Sequence, residues 1–302
     1  MKHKHAVMLL GITLPICILL RTLQMCFIID DKTGFVKQQY SAIGLAITII
    51  ICAATAAVGL FAATLEGTKH NKQELRPAIA IASALAGGMF VYETVAVASQ
   101  QTSGAWYDVL LTFLAFASAI VFVAYGLKNI YSYKMPTMIL VVPVLYYIVR
   151  LISVFVSTSS LALVTENVFL IFTSSILLWF MFEFACFENN IGDSAKRPKK
   201  LFASGLAVVV LCGTTSISKF IYAMVSDVQL SGEDIAAASL NVAVGLFVLV
   251  YIVCNFGTNN IVKVDLDNYS VDEIYTFEEG VHSYVKSGKY EFALLDSGLY
   301  LL

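Results

Sequence analysis

Eight apolar blocks run through the first 256 residues, at about 6–29, 41–64, 77–99, 105–127, 136–157, 161–187, 201–225 and 236–256. Each is close to the ~20 residues needed to cross a hydrocarbon core. Inside lipid the backbone must satisfy its own hydrogen bonds, so each block is expected to be helical. A membrane β-barrel needs alternating segments of about 10 residues, and these runs are uninterrupted. Only 13% of the 302 residues are charged, against roughly 25% in a soluble domain. The expected fold is therefore all-α: an integral membrane bundle of eight transmembrane helices over 1–256, followed by an acidic tail over 257–302.

Lysine and arginine orient the bundle. Fourteen of them fall on the side holding both termini and the even-numbered loops, and only Lys32 and Lys37 fall opposite. The positive-inside rule then places both termini in the cytoplasm. The start, Met1-Lys2-His3-Lys4-His5, is like that of a signal peptide, but no small-x-small cleavage pattern follows. It reads as an uncleaved first span.

Several charges lie within the spans, where each costs about 2.5–3.5 kcal/mol at the centre on insertion scales. Arg21, Glu93, Arg150 and Lys219 each precede the outer end of an outward-running span by six to eight residues. At about 1.5 Å per residue that is roughly 10 Å below the surface. Asp108 and Glu166 open the fourth and sixth spans, and Asn241 takes a similar place in the eighth. The ionisable groups thus form one layer in the outer third.

That layer has two readings. One is an outward-facing pocket for a zwitterion, an organic anion or an ion, as in a transporter or a small-ligand sensor. Its binding or coupling residues would be Arg21, Glu93, Asp108, Arg150, Glu166 and Lys219. The other is a non-transporting scaffold held by ion pairs. Tyr92, Trp106, Tyr107, Tyr146 and Tyr147 either line the pocket or belong to the interfacial aromatic belt.

Other signals are sparse. The four histidines (His3, His5, His70 and His282) lie outside the spans, which speaks against an intramembrane zinc or haem site, so no cofactor or metal is expected. The six cysteines form no C-x-x-C pair and read as small buried hydrophobes. A net charge of −2 gives no reason to expect nucleic acid as a partner. Ser216-Ile217-Ser218-Lys219 has the S-x-x-K spacing of penicillin-recognising enzymes, but no other enzyme signature accompanies it. Small residues on the second span, and Ala80, Ala84 and Gly88 on the third, mark expected close helix contacts. Arg150 to Ser157 and Lys219 to Ser226 share a basic residue, Ile at +2, Val at +6 and Ser at +7, a hint of internal duplication.

The tail carries eight acids and three lysines. Ser270-Val271-Asp272-Glu273 reads as a capping box, and Val271, Ile274, Phe277, Val281, Tyr284 and Val285 recur at helical spacing. A short amphipathic helix to about Ser287 is expected, then a hairpin turning at Asp296-Ser297-Gly298. The tail is the expected contact for a cytoplasmic partner.

Arg21-Thr22-Leu23-Gln24, then Asp30, then Thr33-Gly34 make an R-x-x-Q-x5-D-x-x-T-G pattern. The pattern resembles a family of polytopic membrane proteins of anaerobic Gram-positive, clostridial-type bacteria, over about 15 residues plus the general topology. The resemblance implies a bacterial plasma-membrane protein and no particular activity. Where the family's pattern often has proline after the aspartate, this chain has Asp31. Physically, Asp-x-x-Thr-Gly is a turn, and it closes the first span above Arg21. Asp30 or Asp31 is expected to fold back onto that guanidinium.

Overall fold

The computed structural model describes residues 2–29, 36–64, 76–99, 106–131, 135–157, 165–189, 191, 196–226 and 229–256. In the tail it describes the backbone of the strands alone. Eight helices are long and apolar enough to cross a membrane. They are α1 Lys2–Leu23, α2 Ser41–Thr64, α3 Pro77–Ser99, α4 Trp106–Tyr131, α5 Val141–Ser157, α6 Thr165–Glu188, α7 Arg197–Ser226 and α8 Gly232–Asn255. The all-α membrane bundle expected from hydropathy is the fold of the described residues up to Phe256.

Local chemistry sets the helix ends. A π-helical turn, Gln24–Ile28, carries α1 onward past Arg21. Pro143 falls in the first turn of α5, just after the 3-10 turn Thr137–Leu140, where a missing N–H costs little. Ser231 caps α8: its hydroxyl accepts from the Asp234 backbone N–H at 3.1 Å.

The helices pack in two groups. α3 lies on α4, α4 on α5, α5 on α6, α6 on α7, α7 on α8 and α8 back on α3, so six helices close a ring. α1 and α2 lie on each other and on α7. α7 is therefore the most enclosed span, with 83% of its apolar window inside, against 22% for α1 and α2.

Small residues permit the closest approach, between α3 and α4. A Cβ on Gly126 would stand 3.0 Å from the Ala80 carbonyl oxygen, and one on Gly87 3.1 Å from that of Ala119. The packed face of α3 holds Ile79, Ser83, Ala86, Gly87 and Phe90. Of the expected Ala80, Ala84 and Gly88 face only Ala80 is buried, and Gly88 meets nothing within 4 Å. Spacing by four found small residues but not the side the neighbour takes.

Aromatic rings join across the six-helix ring. Tyr146 meets Phe90 at 5.1 Å between centroids, Phe90 meets Phe122 at 5.3 Å and Phe122 meets Phe247 at 5.1 Å. Phe247 meets Phe184 at 5.8 Å, and Phe184 meets Tyr125 at 5.3 Å and Tyr251 at 5.1 Å. All are buried. Mostly edge-to-face, these contacts add about 0.5–1.5 kcal/mol per pair beyond area burial.

The tail corrects the expected amphipathic helix. Residues Ser270–Phe277 form strand β2, paired antiparallel with β1, Asn259–Asp265. Val281–Ser287, Tyr290–Leu295 and Gly298–Leu301 form β3, β4 and β5, a three-stranded antiparallel sheet. Val, Ile, Tyr, Thr and Phe are frequent in these segments and favour a pleated strand. The hairpin expected beyond Tyr290 is present as the β4–β5 pair; its Asp296-Ser297 turn lies outside the described residues.

Candidate functional site

The first polar cluster caps the ring at one end. Glu93 on α3 and Arg150 on α5 face each other in the interior, with Nη1 donating to Oε1 at 2.6 Å. The Tyr146 hydroxyl, one turn before Arg150, also accepts from Nη1 and lies 3.4 Å from Glu93 Oε1. Both charges are nearly sealed from solvent. Two opposite charges in a low-dielectric interior, each hydrogen-bonded, is the form in which a buried pair persists. Glu93 Oε2 has no hydrogen-bond partner. Glu233 in the first turn of α8 stands within electrostatic reach of this pair, and Asp108 in the first turn of α4 within electrostatic reach of Glu233.

The second cluster lies on the flank, where α1, α6, α7 and α8 meet. Arg21 Nη1 donates to Gln24 Oε1 at 2.7 Å, and the guanidinium lies over the Phe169 ring, 4.2 Å from its centroid. Gln24 Nε2 passes the connection on to the Gly44 carbonyl at 2.9 Å and the Thr48 hydroxyl at 3.0 Å. The Arg and Gln of the R-x-x-Q pattern thus bond each other and tie α1 to α2. Lys219 Nζ donates to Asp234 Oδ1 at 2.8 Å. Between Arg21 and Lys219 a void of about 30 Å³ opens, lined also by Asn241, Thr215 and Ser216. That is room for one or two waters.

Both clusters stand at the same end of the bundle, because the first turn of α8 serves each: Glu233 beside Glu93 and Arg150, Asp234 on Lys219. Of the six expected site residues the structure pairs Glu93 with Arg150 and sets Arg21 and Lys219 around one void, while Asp108 joins the first group. Glu166 opens α6, but its side chain lies outside the described residues, as do Asp30 and Asp31. The void beside Arg21 and Lys219 is lined by none of Glu93, Asp108 and Arg150. The Arg150 and Lys219 segments, similar in sequence, find different partners.

Sequence reasoning missed Asp234 and a third cluster at the other end. Asp234 was legible, because Ser231-Gly232-Glu233-Asp234 before an apolar run is a capping-box pattern. In the third cluster Glu188 Oε1 accepts from the hydroxyls of Tyr125 at 2.8 Å and Tyr251 at 3.2 Å, and Oε2 pairs with Lys128 at 2.9 Å. Arg76, just before α3, donates from Nη1 to Asn255 Oδ1, and its Nε and Nη2 are buried without a partner. Burial pulls its pKa below the ordinary arginine value, and Tyr251 opposes that shift. Glu183, buried on α6, is paired with Arg197 at 2.8 Å.

A larger cavity lies elsewhere. A groove of about 350 Å³ runs between α2 and α6 with α7 as its floor, lined by Gly59, Ala203, Ala207, Phe172 and Trp179 among others, almost wholly apolar. No family model, no curated protein and no solved structure matches this chain.

Proposed function

We propose that this chain is a non-transporting multi-pass protein of a bacterial plasma membrane, with both termini in the cytoplasm, whose intramembrane charges are structural. The observation that carries this reading is the closed interior of the six-helix ring. A route across the bundle would run there, and the aromatic column from Tyr146 to Tyr251 occupies it. The Glu93–Arg150 pair stands at one end of that column and the Glu188 cluster at the other. The orientation rests on the loop bias of 14 basic residues to two.

The test is access of water-borne thiol reagents to the ring. In a cysteine-free background, Ser118→Cys and Ala243→Cys, both at buried positions, should stay unlabelled from either side of sealed vesicles. A reporter fused after Leu302 should be active only in the cytoplasm. Labelling of either ring position from either side would establish a hydrated path and remove the structural reading.

A second reading, an outward-facing small-ligand sensor, is favoured by one observation: the polar void between Arg21 and Lys219.

A further inference from the structure

The apolar groove between α2 and α6 occupies one half of the bundle's depth. α2 runs from Ser41 to Thr64, and the groove takes only its second half, from Cys52 to Ala63. On α7 it takes Ala203, Ala207 and Leu211, in the first half of a helix that starts at Arg197. Leu211 stands eleven residues beyond Lys200, roughly 16 Å along the helix axis. That is about half of a hydrocarbon core of about 30 Å. The groove therefore follows one leaflet, from the end of the bundle where α2 stops and α7 starts to the middle of the membrane.

Small residues make its floor. A Cβ on Gly59 would stand 3.5 Å from the Ala203 carbonyl oxygen and 3.7 Å from the Ala207 Cβ, so α2 rests directly on α7 there. The Thr55 hydroxyl on the α2 wall donates to the Ile51 carbonyl at 2.9 Å, which leaves alkyl groups to face the groove. Positions 200, 203, 207 and 211 follow one another at steps of three and four, one stripe along α7. Lys200, exposed, thus continues the groove floor beyond Ala203. It belongs to a basic run, since four of the five residues from Lys196 to Lys200 are lysine or arginine. Arg197 in that run is taken by Glu183, on the side of α7 away from the groove stripe.

An apolar floor one leaflet long that ends at a basic side chain is the complement of an acyl chain with an anionic head. We propose that the groove holds an anionic phospholipid of the cytoplasmic leaflet, with an acyl chain on Gly59, Ala203 and Ala207 and the phosphate at Lys200. The inference rests on the orientation proposed above, which puts Lys200 at the cytoplasmic surface, where anionic lipids attract basic residues. The same orientation argues against a partner's spanning helix. Such a helix would bring its own lysines and arginines to the cytoplasmic side, against the basic run from Lys196 to Lys200. It would also call for a groove of the full membrane depth.

The test uses the full-length chain purified in detergent, with phosphatidylglycerol or phosphatidylcholine of identical acyl chains added. Its thermal unfolding midpoint is followed, and native mass spectrometry reads the lipid it retains. The expected result is a midpoint higher by ~3 °C or more in phosphatidylglycerol than in phosphatidylcholine, with phosphatidylglycerol retained preferentially. Lys200→Gln should erase the difference between the two lipids. Ala56→Phe, which fills the groove from the exposed side of α2, should remove the retained lipid. Lys128→Gln, on a helix that lines no part of the groove, should keep both effects. Glycerol phosphate, the head without its chains, should leave the midpoint unchanged; a rise equal to that in phosphatidylglycerol would overturn the lipid assignment. Equal midpoints and equal retention in the two lipids would overturn the inference. So would a dimer that added lipid does not disperse and Ala56→Phe abolishes, because a helix of a second copy would then fill the groove. None of these results touches the orientation, which the reporter after Leu302 reads separately. The two-lipid comparison needs no variant, so a substitution that fails to fold leaves the test decisive.

Discussion

Inside the ring of α3 to α8, aromatic side chains touch one another from Tyr146 to Tyr251, and the charges above and below them are bonded to partners. On the flank, where α1 and α2 lie against α7, the packing leaves two openings, one polar and about 30 Å³, one apolar and about 350 Å³. The same seventh helix serves both regions. Toward the ring it presents Val208 and Cys212, with Ser216 one turn further along the same face beside the polar void, and toward α2 it presents Ala203 and Ala207 to the apolar groove. The difference separates two uses of a membrane helix: as a wall that must be filled, and as a surface on which a small site can be left open.

The comparison predicts unequal costs, and the largest concerns the column. Phe247→Ala should lower unfolding stability by about 3–5 kcal/mol, because it leaves a cavity among fully packed rings. Phe172→Ala on the groove should cost a small fraction of that, since Phe172 is already half exposed. Equal costs in denaturant titration would erase the distinction. Gly126→Ala should cost about 1–3 kcal/mol by pressing a methyl against the Ala80 carbonyl and separating α3 from α4. Gly88→Ala, with nothing within 4 Å, is the matched control and should be neutral or slightly stabilising. Tyr251→Phe removes one donor to Glu188 and should cost about 1 kcal/mol. The smallest effect is expected for Lys128→Met, below about 1 kcal/mol and shrinking with salt, because Lys128 is partly exposed.

Much of this was legible in the sequence. Eight blocks of spanning length force eight helices, and the rarity of charge inside them drew attention to Arg21, Glu93, Arg150 and Lys219. What hydropathy could not supply was azimuth. It places a residue at a depth, but not on the side that meets a particular neighbour. Glu93 therefore reads as one member of a shared layer, and the structure shows it paired with Arg150. The Glu188 cluster was missed for a related reason: its members sit at helix ends, where charge is cheap and draws no attention, and only packing brings Tyr125, Lys128 and Tyr251 together. In the tail, a 3.6-residue reading of Val271 to Val285 competed with β-branched and aromatic composition. Composition prevailed, because the preceding segment Asn259–Asp265 supplies a strand partner.

The most direct measurement of whether these charges are structural is a double-mutant cycle on Glu93 and Arg150, read as unfolding free energy of the purified protein. Arg150→Met alone should cost about 3–5 kcal/mol, since it strands a buried carboxylate. Adding Glu93→Gln should recover most of that loss, so that the pair behaves as one unit. If instead the two costs add to within about 0.5 kcal/mol, the carboxylate and the guanidinium act independently, and the account of a locked, non-transporting interior is contradicted.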